Sequence, residues 1–137
     1  SAPTKSKALN LKHEILNEEM EDEKPLYDLE ERTYQFALKV RRCIGDINWT
    51  RQQWTDIDQV LRASGSVAAN YIEANNAVSK PDFFFLIRIP KKEASECRLW
   101  LRLLGETSKD ESLKQTLRDL YKESDELAKI MATILRN

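Results

Sequence analysis

The stretch that decides the fold is residues 112–135, which read SLKQTLRDLYKESDELAKIMATIL. Small or apolar residues recur in it at alternating steps of four and three, a spacing that places them on one face of an α-helix. The same spacing is typical of helices that pack side by side at a small angle. The stripe comprises Leu113, Leu117, Leu120, Ser124, Leu127, Met131 and Ile134. We therefore expect a long amphipathic helix from about residue 112 to 135.

A second stripe with the same spacing precedes it, between residues 79 and 104. It comprises Phe83, Ile87, Pro90, Ala94, Cys97, Leu101 and Leu104. Ser79 is a suitable N-cap, and we expect Gly105 to end the helix. Pro90 has no amide hydrogen and crowds the carbonyl of Leu86, so the sequence predicts a kink there.

Two further helices are predicted upstream. The first, from about residue 26 to 47, carries the stripe Leu29, Phe36, Val40, Ile44 and Ile47. The second begins after Thr50, which with Gln53 forms a capping-box pattern. Its predicted apolar stripe is Trp54, Ile57, Leu61, Ala68, Tyr71 and Ile72.

Short connections between these four helices favour antiparallel neighbours. We therefore expect an all-α fold, an antiparallel up-down-up-down four-helix bundle over residues 26–137. The chain has 137 residues, the size of one compact domain. Residues 1–25 contain the acidic run EEMEDE at 18–23 and then Pro25. We expect them to form an acidic N-terminal extension that is mobile or loosely docked.

The balance of charges and the number and spacing of the cysteines limit the classes of protein to which the chain can belong. The 22 Lys and Arg residues nearly balance the 23 Asp and Glu residues, so any nucleic-acid contact must come from a local surface. Residues 33–104 hold 11 basic and 7 acidic side chains. Two cysteines without CxxC spacing favour a reducing setting, and we expect a cytoplasmic protein. The longest apolar run, residues 83–87, is far shorter than the ~20 residues of a membrane span.

Four segments of the chain carry a family resemblance: ERTYQFA at 31–37, QVLRASGSVAANYIEA at 59–74, SKPDF at 79–83 and KEASECRLWLRLL at 92–104. Together they resemble the four-helix bundle family of 23S ribosomal RNA intervening-sequence proteins over roughly residues 28–135. The most specific set is Arg62, Ser66, Asn70 and Glu73. Two positions depart from the family pattern: Ala63 stands where Ser is common, and Pro90 stands where a helix former is usual.

The resemblance implies a homopentamer. Members of the family are encoded within intervening sequences of bacterial ribosomal RNA genes, or near retroelements whose accessory proteins share the fold. That context implies contact with RNA and no particular biochemical activity. An oligomeric scaffold that binds a protein partner, without nucleic acid, is the alternative function.

The family motif also forms a polar stripe on the second helix. On a helical wheel its members fall within roughly 80°, away from the core face. The stripe comprises Gln59, Arg62, Ser66, Asn70 and Glu73. It is either a solvated surface or, as we expect, a subunit contact or a network to the third helix. If the second and third helices run antiparallel, Arg62 lies level with Glu93 and Gln59 with Glu96, so we predict that Arg62 pairs with one of these glutamates.

Five cations of the third helix cluster within ~120° on the same wheel. They are Arg88, Lys91, Lys92, Arg98 and Arg102. They are either contacts for RNA phosphates or solvated partners of acidic groups, including the acidic extension of a neighbouring chain.

Catalysis has little support in the sequence. His13 is the only histidine and lies in the N-terminal extension, far from a partner nucleophile. The Glu-x-x-His motifs of two-metal helical bundles are not found, and neither are glycine-rich phosphate loops. We therefore expect no enzyme activity, no metal and no cofactor.

Overall fold

The computed structural model describes residues 28–45 and 47–136. These residues form five α-helices and, within the same ranges, no strand. The helices are α1 (Leu29–Gly45), α2 (Arg51–Asn75), α3 (Lys80–Leu86), α4 (Arg88–Thr107) and α5 (Glu111–Arg136). Helices α3 and α4 take the place of the predicted third helix, so the architecture is an all-α four-helix bundle. The predicted extension at residues 1–25 lies outside the described residues.

Side-chain caps start four of the helices, and at α1 the Asp28 carboxylate accepts from the backbone amide of Glu30. The Thr50 hydroxyl accepts a hydrogen bond from the backbone amide of Gln53, and the side-chain oxygen of Gln53 accepts one from the backbone amide of Thr50. These two bonds complete the predicted capping box of α2. Ser79 accepts from the Asp82 amide at α3. At α5, the Asp110 carboxylate accepts from the amide of Leu113. Each cap satisfies an amide that has no partner within its own helix.

The break between α3 and α4 is one residue long, at Ile87. Three residues later, Pro90 is buried and lacks the amide that would bond to the carbonyl of Leu86. The amide of Ile87 still donates to Phe83 and the amide of Lys91 to Ile87, so helical hydrogen bonds continue on both sides of the break. The predicted disturbance of the helix is present as this one-residue interruption, while a change of helix direction stays a prediction.

The helices follow one another around the bundle in the order of the chain, and α3 and α4 together take the third position. Helix α1 packs against α2 and α5, α2 packs against α4, and α4 packs against α5. Between α1 and α2, Asn75 donates to Glu30 and Arg41 donates to Ser64. Late residues of α2 thus meet early residues of α1, which is the order that antiparallel neighbours require.

The core contains every member of the two stripes predicted for residues 83–104 and 113–134. The stripe predicted for α2 is partly wrong, because Trp54 and Ile72 are 46% and 48% exposed. The core face of α2 instead comprises Ile57, Val60, Ala63, Ser64, Val67, Tyr71 and Ala74. This face combines large side chains such as Tyr71 with small ones such as Ala63 and Ser64, and Trp54 lies outside it.

Two predicted helix ends also need correction. Gly105 does not end its helix, since α4 continues to Thr107 and is followed by Ser108. Gly105 lies beside Leu117 of α5, where a Cβ would meet only an ordinary contact at 3.8 Å. Ile47 lies beyond the end of α1 and is only partly buried. Among the described helices, none is both long and apolar enough to cross a membrane.

Candidate functional site

Arg62 lies on the side of α2 that faces α4. Its Nη1 atom is 3.2 Å from Oε2 of Glu93, and its Nη2 atom is 3.0 Å from Oε2 of Glu96. The two glutamates are three residues apart on α4 and so project on one side of that helix. The predicted pairing of Arg62 with one of these glutamates is present, and it involves both.

The three side chains differ in exposure. The Arg62 side chain is 52% exposed, whereas the Glu93 side chain is 11% exposed. Attraction by Glu93, followed by the hydrogen bond to Glu96, raises the pKa of the Arg62 guanidinium. One cation faces two carboxylates, so the cluster keeps a negative charge.

The other members of the predicted polar stripe do not join this cluster. Asn70 donates from Nδ2 to the Ser66 carbonyl at 2.9 Å and to the Ser66 hydroxyl at 2.8 Å. That bond stays within α2. Within the described part of the chain, the side chains of Gln59 and Glu73 form no hydrogen bond. Subunit contact by these residues stays a prediction.

A second ion cluster joins α4 to α5. Nη1 of Arg98 lies 2.7 Å from Oδ1 of Asp125, and Nζ of Lys129 lies 2.9 Å from Oδ2 of the same carboxylate. Hydrogen bonds from Lys129 and Arg98 lower the pKa of Asp125. Arg98 therefore differs from the other four predicted cations, because its charge is already paired.

The remaining predicted cations are more available. Arg88, Lys92 and Arg102 are exposed, and Lys91 is half-buried. Over residues 28–45 and 47–136, none of the four takes part in an ion pair. These side chains can therefore bind an external anion without first giving up a carboxylate partner.

A groove of about 400 Å³ lies between α4 and α5, on the side of the Arg98 cluster. Its apolar wall is formed by Leu101, Gly105, Leu117 and Tyr121. Three cations and one carboxylate complete it: Arg102, Lys114, Arg118 and Glu106. The groove therefore joins one predicted cation of α4 to two cations of α5 that the sequence analysis missed.

The missed cations have a signal in the sequence. Lys114, Arg118, Lys122 and Lys129 recur at steps of four, four and seven residues. On a wheel they fall within about 80°, so they form a basic stripe on α5. The acidic residues between them hide the stripe when charges are summed over the whole segment.

Exposed apolar side chains flank the Arg62 cluster. On α4 they are Ile89, Leu99 and Leu103. Seen down the helix these three fall within about 80°. We call them the apolar ridge of α4.

The Cys97 thiol lacks the low pKa of a catalytic nucleophile. Burial, with Glu93 and Glu96 nearby, raises the pKa of the Cys97 thiol to about 12, so it stays protonated at neutral pH. Cys43 is partly buried beside the core. In the part of the chain that the structure describes, no group of three or more His, Cys, Asp or Glu side chains is placed to hold a metal ion.

Comparisons with known proteins place this geometry in context. The model of a family described as 23S rRNA-intervening sequence protein matches residues 27–133. A solved structure of a protein with unknown function, from the S23 ribosomal protein family of Bacteroides thetaiotaomicron, superimposes with a TM-score of 0.67. It shares 24% identity over 80% of this chain and 100% of its own, which supports the fold alone. A search among curated proteins finds no match.

Proposed function

Because this chain belongs to the family of 23S rRNA-intervening sequence proteins, we propose that it is a non-enzymatic, homo-oligomeric bundle that associates with RNA. The observation that carries the proposal is the set of exposed cations on α4 that have no ion pair among the described residues. Arg88, Lys92 and Arg102 are its exposed members. Cations of this kind bind phosphates and release the counterions condensed on the nucleic acid.

Repetition of this surface compensates for the small charge of one chain. The whole chain carries a net charge of −1, which by itself does not attract a polyanion. A cyclic oligomer would present the same basic surface several times around one axis, and the local fields would add. We propose a homopentamer, the state that the family resemblance implies.

The apolar ridge of α4 supports self-association. Ile89, Leu99 and Leu103 are exposed in the single chain, next to the charged cluster of Arg62. Apolar residues at the centre of a contact with charged residues at its edge are typical of subunit interfaces. The proposal also places the protein in the cytoplasm, in keeping with a sequence that has two cysteines and no CxxC spacing.

RNA binding measured over a salt series tests the proposal. For single-stranded RNA, the slope of log K against log salt is about −0.7 for each phosphate neutralised. The double variant Arg88→Glu/Lys92→Glu should weaken binding about tenfold or more and make the slope shallower by ~1.4. The matched control, Lys39→Glu/Arg42→Glu on α1, makes the same charge change at exposed positions on a helix that does not pack against α4.

Two results would count against the proposal. Absence of RNA binding by the unaltered protein at low salt would leave the protein-binding scaffold as the function. Equal loss in both double variants would mean that net charge, and not the α4 surface, governs binding. Light scattering tests the oligomer separately, and a monomeric mass would reject the homopentamer.

A further inference from the structure

We propose that the groove between α4 and α5 seats one nucleotide of single-stranded RNA, with its phosphate between Arg102 and Arg118. The inference rests on the proposed association with RNA and adds where and how the strand is held. It also assigns a binding role to α5.

The charges of the groove are only weakly neutralised by the protein. Among residues that the structure describes, Arg102 forms no ion pair, and Arg118 donates only to the neutral side chain of Gln115, at 3.2 Å. Nζ of Lys114 is 3.8 Å from the highly exposed Glu111 carboxylate. Loose contacts of this kind contribute little stability, so an incoming phosphate can replace them at low cost.

The groove also offers an apolar surface beside its cations. Leu101 and Leu117 line it from the two helices, and the half-buried ring of Tyr121 adds an aromatic wall. A free phosphate would leave this surface exposed to water, whereas a nucleotide covers it with its sugar and base. Stacking of a base on an aromatic side chain contributes ~1–3 kcal/mol and does not depend strongly on sequence.

The size of the groove fits the same ligand. Its volume of about 400 Å³ is within the range of roughly 300–1,000 Å³ that is usual for small-ligand sites. Gly105 lines the groove and has no side chain to occupy it. A Cβ at this position would lie 3.8 Å from Cβ of Leu117, and a longer side chain would extend from there into the groove.

Neighbouring residues define the path of the strand. Next to the groove, Arg98 and Lys129 share the carboxylate of Asp125, so their capacity for phosphate is reduced although the cluster keeps one positive charge. Within the described ranges Arg102 and Arg118 form no ion pair, and the Glu106 carboxylate lines the same groove. The phosphate most tightly held is therefore expected in the groove, with weaker contacts along α4 and α5 on either side.

A labelled oligouridylate and the corresponding RNA duplex test the inference by fluorescence anisotropy. The double variant Arg102→Glu/Arg118→Glu should bind the oligouridylate about tenfold or more weakly, with a salt slope shallower by ~0.7, since the one phosphate held between the two arginines is lost. The unaltered protein should prefer the single strand, because bases within a duplex cannot enter the groove. Gly105→Leu, which fills the groove and changes no charge, should remove this preference for single strands.

The outcomes separate this inference from the function on which it rests. If neither RNA binds to the unaltered protein, both are wrong. If the oligouridylate binds to the Arg102→Glu/Arg118→Glu variant as it does to the unaltered protein, the groove is not its site, while RNA association stands. Thermal unfolding followed by circular dichroism ensures that each compared variant is folded, and the Lys39→Glu/Arg42→Glu variant controls for net charge.

Discussion

Helix α4 is tied to its two neighbours by ion clusters of the same design and opposite sign. Toward α2, one cation, Arg62, lies between the carboxylates of Glu93 and Glu96. Toward α5, one carboxylate, Asp125, lies between the cations of Arg98 and Lys129. Both clusters fix the register of adjacent helices, but the first leaves a negative charge and the second a positive one. The difference indicates on which side an anionic partner would bind.

The two sides of α4 also differ in the kind of side chain that they expose. The apolar ridge of α4 lies exposed near the Arg62 cluster, whereas a cation-lined groove lies near the Asp125 cluster. An apolar surface favours another protein surface, and a basic groove favours a polyanion. Among the cations of α4, Arg102 lines the groove, whereas Lys92 falls between Leu99 and Leu103 on a helical wheel. Helix α4 can therefore support self-association on the side of the ridge and RNA contact through Arg102 on the other.

The largest effect on stability is expected at the more buried cluster. Arg62→Ala should lower the free energy of unfolding by about 2 kcal/mol, because Glu93 is left with little exposure and no cation. Arg98→Ala should cost about 1 kcal/mol or less, since Asp125 keeps Lys129 as a partner. Urea denaturation of both variants measures the difference.

A double-mutant cycle sharpens this result. Arg62→Ala combined with Glu93→Gln should show a coupling energy of about 1 kcal/mol, and the same cycle on Arg98 and Asp125 should show less. Zero coupling between Arg62 and Glu93, or a larger cost for Arg98→Ala than for Arg62→Ala, would contradict the ranking of the two clusters.

Substitution of one glycine at a time compares two helix contacts: the contact between α4 and α5 at Gly105, and the contact between α2 and α1 at Gly65. Gly105→Ala should stabilise the fold by about 0.5–1 kcal/mol, because alanine favours the helix and its Cβ meets only an ordinary contact. Gly65→Ala should gain less or destabilise. Its Cβ would lie 2.9 Å from Nη2 of Arg41, an atom that donates to the carbonyl of Leu61.

Thermal unfolding of the two alanine variants distinguishes these cases. A gain at Gly65 equal to that at Gly105 would mean that the Arg41 side chain moves away without cost. The difference in packing around Gly105 and Gly65 would then have no effect on the free energy of unfolding.

The smallest expected effect is the pH dependence of the Asp125 cluster. Because Lys129 and Arg98 lower the pKa of Asp125, its contribution to stability is complete above the usual value of ~3.9 and is lost as the pH falls through the lower value of the folded state. The stability difference between the unaltered protein and Asp125→Asn should thus shrink below about pH 4. A difference that stays constant from neutral to acidic pH would show that the ionised carboxylate contributes nothing.

The sequence predicts the helices well where one stripe determines burial. In α4 and α5 the alternation of three and four residues marks the core face, so every predicted member of the two stripes is buried; Glu93, Ala128 and Ile130 are buried as well and were not predicted. In α2 apolar residues lie on two sides. Trp54 and Ile72 are larger than Ala63 and Ser64, yet the smaller pair is buried, because close packing of helices favours small side chains there.

The candidate site is predicted only in part, for a related reason. The pairing of Arg62 with Glu93 and Glu96 follows from the position of the turn between α2 and α3 and from the numbers of residues on each side. The groove depends on the register between α4 and α5 and on cations from both helices. A helical wheel of α4 alone shows neither the register between α4 and α5 nor the cations of α5. For that reason Lys114 and Arg118 were not predicted.

Photocrosslinking tests the central claim most directly, that RNA lies along the α4–α5 side and not the α2 side of α4. The protein would be bound to an oligouridylate containing a photoreactive uridine, irradiated and digested, and the crosslinked peptides identified by mass spectrometry. The account predicts crosslinks in residues 98–122, centred on Tyr121 and its neighbours in the groove. Crosslinks confined to α1, or to the Arg62 side of α2, would contradict it.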